Sequence, residues 1–102
     1  MSSQTRLAFT PIKIGTVTVQ NRIVFSAHLT NYAEDFMPSE RHAYYYRERA
    51  RGGVGLIITE EHSTHPTDHP YEKLIHAFHS SVIPGYRRIT DMVHAEGVPI
   101  FA

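Results

Sequence analysis

Hydrophobic and polar residues alternate near the start of the chain, and the alternation is interrupted once. Apolar side chains take every second position on either side of Gly15-Thr16. This alternation is typical of strands with one buried face, and a glycine at the first turn position suits a type II′ turn. The pattern predicts a β-hairpin whose apolar positions are Ile12, Ile14, Val17 and Val19.

Three further apolar segments predict strands. Ile23-Val24-Phe25 is a short continuous apolar run, which suits a strand that is buried on both faces. Residues 54–59 form the clearest buried strand of the sequence, and residues 98–102 begin another. The stretches between these segments have a different periodicity.

Two helices are predicted between the three strands. Ser39 suits the cap of the first helix, which ends at Gly52-Gly53. Pro84 fits the first turn of the second helix, which ends at Gly97. Each helix has three residues at helical spacing on one face: Ala43, Tyr46 and Ala50 in the first, and Tyr86, Ile89 and Val93 in the second.

The predicted order is strand, helix, strand, helix, strand. Right-handed crossovers make such strands parallel neighbours in one sheet. An α/β chain of this kind closes as a TIM barrel of roughly 250 residues, or as an open sheet that usually has more strands. We therefore expect residues 1–102 to form one incomplete domain.

Composition excludes several classes of protein. Ten basic residues balance ten acidic ones, so the net charge gives no long-range attraction toward nucleic acids or anionic membranes. The absence of cysteine excludes disulfides, thiolate nucleophiles and Cys-ligated metals within this span. No segment resembles a signal peptide or a membrane span. These features favour a soluble, cytoplasmic protein that binds neither nucleic acid nor membrane.

A polar loop rich in histidine follows the second predicted strand. It holds His62, His65 and His69, and the two glutamates that precede them add oxygen ligands of the kind zinc accepts. Pro66 and Pro70 argue against a regular helical face that would align the three imidazoles. A metal-dependent barrel hydrolase that uses this loop is one open hypothesis, and a non-catalytic α/β module is another.

The adjacent pair Glu60 and Glu61 suggests acid–base chemistry at first sight. Neighbours on an extended chain point to opposite sides, however, so the two carboxylates are not expected to act together. We expect one of them to be solvated and the other to pair with a nearby arginine. His42 is expected at a helix surface or an interface.

Four segments, taken in order, resemble the start of a known enzyme family. They are Pro11–Gly15, Asn21–Phe25, Arg49–Glu60 and His94–Gly97. The ordered set spans residues 9–102 and resembles the Old Yellow Enzyme and 2,4-dienoyl-CoA reductase family. Ser26-Ala27-His28 is most similar to the subfamily of 2,4-dienoyl-CoA reductase and trimethylamine dehydrogenase.

The resemblance implies a fold and an activity. The fold would be α/β, the amino-terminal portion of a TIM (β/α)8 barrel with a bottom-capping β-hairpin. The activity would be that of an FMN-dependent oxidoreductase, which passes hydride from NADH or NADPH through the flavin to an activated C=C bond. An enoyl thioester is one candidate substrate. The resemblance also admits a homo-oligomer, and an iron–sulfur cluster in chain beyond residue 102.

The resemblance places flavin contacts at the carboxyl ends of the first two strands. Those after the first strand are Ala27, His28, Leu29 and Thr30, and the backbone near Glu61 follows the second. Leu29 stands where the family often has threonine or cysteine, and leucine has no side-chain donor for the flavin. Catalytic residues stay unassigned, because the family's substrate-activating pair and phosphate site fall after residue 102. We expect the 102-residue chain alone to bind FMN weakly.

Overall fold

The computed structural model describes residues 3–102. None of the helices formed by these residues is long and apolar enough to cross a membrane. In chain order the elements are a 3-10 helix at Ser3–Phe9, β1 at Ile12–Ile14, β2 at Val17–Val19, β3 at Val24–Phe25, α1 at Glu40–Arg51, β4 at Leu56–Ile58, β5 at His62–Ser63, β6 at Ile75–His76, a second 3-10 helix at Ser80–Val82, α2 at Ile83–His94 and β7 at Ile100–Phe101.

The predicted hairpin is confirmed. Strands β1 and β2 pair antiparallel, with Ile14 opposite Val17 at the turn. Gly15 has a φ of 59°, a left-handed conformation that glycine adopts without the penalty a side chain would bring. The glycine therefore allows the tight reversal that the alternating pattern requires.

Asn21 joins the hairpin to the start of β4. Its side-chain Nδ2 donates to the carbonyl oxygen of Gly53 at 2.6 Å. Gly55 lies so close that a Cβ at this position would collide with the backbone oxygen of Asn21. The approach of the two backbones depends on the missing side chain, which accounts for the glycine immediately before the buried strand.

Strands β3, β4 and β7 form a parallel sheet with β4 in the centre. This confirms the prediction of three parallel neighbours. The expectation that residues 23–25 are buried on both faces is wrong, because the side chains of Ile23 and Val24 are 38% and 47% exposed. The physical reason is position, since β3 is an edge strand of the sheet that residues 3–102 form.

Helices α1 and α2 pack against each other and against the sheet. The predicted helix faces are confirmed, because their residues form the main core with Ile57 and Val98. Full burial of a side chain such as valine or isoleucine contributes about 1.5–3 kcal/mol to folding stability. This cluster is therefore the main source of hydrophobic stabilisation. Its buried members are Ala43, Tyr46, Ala50, Ile57, Ile89, Val93 and Val98.

The histidine-rich loop contains structure that periodicity did not predict. The two-residue strands β5 and β6 pair in parallel within it, with His62 opposite Ile75. Ile75 is buried and packs with Ala33 and Val82 in a second small core. This core fixes the long loop beside the carboxyl ends of the sheet.

Candidate functional site

The carboxyl ends of β3, β4 and β7 lie at one edge of the sheet, because the three strands are parallel. The loop after β3 and the residues after β4 meet there through their side chains. The hydroxyl of Thr30 donates to the Oε1 atom of Glu60. The structure therefore brings together two of the segments that the sequence predicted to line a site.

Glu60 is buried, with 1% of its surface exposed. Its Oε1 atom also accepts from the Nε2 atom of His42 at 3.0 Å, and its backbone N–H donates to the Tyr46 hydroxyl at 3.0 Å. The expectation of an arginine partner is wrong, since histidine and threonine supply the donors. Glu61 is exposed, so the prediction that the adjacent carboxylates differ in environment is confirmed.

His42 is fully buried, so the expectation of a surface or interfacial residue is wrong. It lies in the first turn of α1, where its Nδ1 atom accepts from the backbone N–H of Ser39 at 2.9 Å. The Ser39 hydroxyl oxygen accepts from the backbone N–H of His42 in return, which completes a capping box. Because Nδ1 is an acceptor, Nε2 carries the hydrogen that is donated to Glu60.

The environment of Glu60 favours the ionised carboxylate. Burial by itself raises the pKa of this group, but hydrogen bonds from His42 and Thr30 outweigh burial and hold the pKa below its ordinary value. Its Oε2 atom is buried and has no hydrogen-bond partner among residues 3–102. A charged carboxylate with one unused oxygen thus lies at the edge where the strands end.

The side chain of His28 is anchored to α1. Its Nε2 atom lies 2.8 Å from the Tyr45 hydroxyl, and its ring packs edge-on against Tyr45 and Phe25. The guanidinium of Arg49 lies over the Tyr45 ring at 3.8 Å. Of the other predicted contacts, Ala27 is exposed and Leu29 is half-buried. Periodicity did not predict this cluster, although tyrosine and arginine four positions apart on a helix are a signal for such contacts.

The three histidines of the metal hypothesis do not converge. His62 lies between the Thr59 hydroxyl at 2.9 Å and the Tyr86 hydroxyl at 2.6 Å. His65 bonds to the Thr67 hydroxyl, and the Nδ1 atom of His69 lies 3.3 Å from the Nε2 atom of His76. Within the part of the chain that the structure describes, no three His, Asp or Glu side chains are placed to hold a metal ion. The geometry gives the hydrolase hypothesis no support.

A profile of the NADH:flavin oxidoreductase / NADH oxidase family matches residues 7–102. The chain belongs to this family. This membership confirms the resemblance to Old Yellow Enzyme. It also confirms the α/β fold as the amino-terminal portion of a TIM barrel, because the solved structures that match are barrels of this family.

Individual proteins and solved structures are also similar to this chain. The chain is 39% identical to a probable N-methylproline demethylase of Rhizobium meliloti (strain 1021), over 88% of this chain and 13% of that protein. It superposes on 2-naphthoyl-CoA reductase in complex with 2-naphthoyl-CoA, with a TM-score of 0.88 and 29% identity over 94% of this chain and 15% of that one. An Old Yellow Enzyme homologue from Zymomonas mobilis gives a TM-score of 0.86 and 31% identity, over 93% and 26%.

The chain thus spans between about an eighth and about a quarter of the length of these relatives. Membership of the NADH:flavin oxidoreductase family implies a flavin. The loop after β3 fits one, because no hydrogen bond within residues 3–102 uses the backbone N–H groups of Ala27, His28 and Leu29. Free backbone donors at strand ends suit the carbonyl and nitrogen acceptors of an isoalloxazine ring. The fit does not require a side-chain donor at Leu29.

Proposed function

We propose that this chain supplies the first strands of an FMN-dependent oxidoreductase of the ene-reductase type. The observation that carries the proposal is the free backbone donors of residues 27–29, which lie at the sheet edge where Thr30 meets Glu60. Family membership supports the same cofactor. Bound FMN would accept hydride from NADH or NADPH and transfer it to an activated C=C bond of a small substrate.

The residues of this chain would bind and orient the flavin. Ala27, His28, Leu29 and Thr30 would contact it after β3, and the backbone at Glu61 would contact it after β4. The half-buried Leu29 would exclude water from the ring face, since its side chain offers only apolar contact. The His28–Tyr45 bond would hold the loop still, which lowers the cost of ordering it on binding.

Absorbance spectroscopy tests the cofactor assignment directly. The whole gene product is purified, and its visible absorbance bands are expected to show one oxidised flavin per protein chain. Under anaerobic conditions, NADH or NADPH should bleach these bands, and the two nucleotides are compared at equal concentration. A colourless protein that gains no absorbance after incubation with FMN would contradict the proposal.

Alkene specificity is tested on the reduced protein. An α,β-unsaturated carbonyl compound or an enoyl thioester should restore the flavin bands, because the carbonyl group stabilises negative charge that develops as hydride arrives. A matched alkene without the carbonyl is the control and should leave the protein bleached. The thioester is included because a 2-naphthoyl-CoA reductase shares this fold.

A second candidate is oxidation of an N-methyl amine, which the 39% identity to a probable N-methylproline demethylase favours. In that reaction hydride leaves the methyl carbon, and water then releases the carbon as formaldehyde. An N-methyl amino acid alone would bleach the flavin without NADH or NADPH, and formaldehyde would form in equal amount. This outcome would assign the amine reaction, and its absence would favour alkene reduction.

A further inference from the structure

One buried carboxylate connects three consecutive elements at the candidate site. Glu60 follows β4, Thr30 lies in the loop after β3, and His42 lies in the first turn of α1. Each of the three side chains is separated from the others by many residues in sequence. The Oε1 atom of Glu60 is the single acceptor at which the two donors meet.

The hydroxyl of Thr30 makes two hydrogen bonds in this arrangement. It donates to Glu60, and its oxygen accepts from the backbone N–H of Tyr32 at 3.2 Å. The next residue, Asn31, has a φ of 63°, so the loop turns sharply at this point. The Glu60 contact therefore sets both the position of Thr30 and the direction in which residues 27–29 run.

His42 holds Glu60 from the other side. Its Nδ1 atom is committed to the Ser39 backbone, so the imidazole has one orientation and one hydrogen to donate. Burial of a charged carboxylate beside a histidine is a poor way to gain stability, because removal from water offsets the attraction. Such a group is better suited to fixing geometry than to holding the fold together.

We propose that Glu60 is a positioning residue of the flavin site, whose carboxylate, oriented by His42, fixes Thr30 and the backbone donors of residues 27–29. The inference rests on the proposed function. Glu60 acts through Thr30 and does not itself touch the cofactor. A backbone donor binds the flavin strongly only if it is placed to within a few tenths of an ångström. Loss of the Thr30–Glu60 contact should therefore weaken flavin binding even though residues 27–29 are unchanged.

Four variants and one control test the proposal on the protein as its gene encodes it. Thr30→Val removes the donor at similar size, Thr30→Ser keeps it, and Glu60→Gln removes the charge at similar size. The fourth variant combines Thr30→Val with Glu60→Gln. Glu72→Gln, which changes an exposed carboxylate outside the site, is the control.

The readout is the dissociation constant for FMN, measured by quenching of its fluorescence on the apo-protein. Thr30→Val should weaken binding by about tenfold, the loss typical of one hydrogen bond to a charged group. Glu60→Gln should weaken it by less, because the amide oxygen of glutamine can still accept from Thr30. Thr30→Ser keeps the hydroxyl and should recover most of the affinity that Thr30→Val loses, and the control should match the unchanged protein. The double variant should bind FMN no more weakly than Thr30→Val alone, because Glu60 acts on the flavin site only through the Thr30 hydroxyl.

Each outcome decides a separate question. If the unchanged protein binds no FMN, the proposed function fails and this inference fails with it. If it binds FMN and Thr30→Val binds equally well, only the positioning role is overturned. Independent losses that multiply in the double variant would also overturn it. Should Glu60→Gln not fold, the comparison of Thr30→Val with Thr30→Ser still decides.

Discussion

The ionisation of buried polar side chains in this protein depends on partners that are distant in sequence. Glu60 bonds to residues thirty and eighteen positions away, and its carboxylate stays ionised because they donate to it. His62 is half-buried between Thr59 and Tyr86. The ionisation state of each group follows from its neighbours in space, which the residue type alone does not show.

His62 carries a prediction on pH. Burial lowers its pKa below the ordinary value of 6.5, although the charge of Glu60 acts in the opposite direction. As the pH falls below 6.5, the unfolded chain binds a proton at His62 before the folded chain does. The free energy of unfolding therefore decreases as the pH falls through the pKa of His62 in the folded protein. Stability from this group is complete above pH 6.5.

Urea unfolding of the protein as its gene encodes it, between about pH 7.5 and pH 5, measures this loss. The variant His62→Gln cannot titrate and should lose less stability over the same range. His94→Gln, at an exposed helix end, is the matched control for removal of a histidine. Equal pH dependence in the His62→Gln variant and the unchanged protein would show that this imidazole does not contribute.

Helix α1 begins with a capping box in which histidine replaces the usual glutamate or glutamine. Ser39 and His42 exchange two hydrogen bonds, and both side chains are buried. The same histidine continues to Glu60. The start of this helix is therefore part of the site and also part of the fold.

Ser39→Ala should lower the free energy of unfolding by about 1 kcal/mol, the usual cost of losing a side-chain cap. Ser39→Thr keeps the hydroxyl and should lose much less. Chemical denaturation of the two variants beside the unchanged protein gives both values. A Ser39→Ala variant as stable as the Ser39→Thr variant would show that the hydroxyl contributes nothing to this helix start.

The elements themselves were largely predictable, while their contacts were not. The hairpin, both helices and the strand at β4 follow from local periodicity and from glycine, proline and serine at element ends. Local periodicity did not predict the pairing of β5 with β6 or the contact of His42 with Glu60. Each joins residues that are far apart in sequence, and a local pattern carries no information about such contacts. The flavin contacts were proposed from family resemblance, and side-chain periodicity carries no signal for free backbone donors.

At the scale of the molecule, three parallel strands form an open sheet with two edges. Val24 on one edge strand and Phe101 on the other are 47% and 39% exposed. An open cavity of about 430 Å³ lies beside β7 and is lined largely by apolar groups, including Ile89 and Ile100. The 102-residue chain, as an isolated polypeptide, presents unpaired strand edges beside this apolar surface.

We therefore expect the isolated 102-residue chain to associate or to unfold without cooperativity. Exposed edges favour pairing with other chains, and a sheet of three short strands covered by two helices buries little apolar area for its size. Sedimentation velocity gives the oligomeric state, and a thermal melt followed by circular dichroism gives the cooperativity. Replacing Val24 and Phe101 with lysine should reduce association, because charged edge residues oppose pairing. A monomer of the unchanged chain with a sharp, reversible transition would contradict the expectation and show that the two-helix core is sufficient by itself.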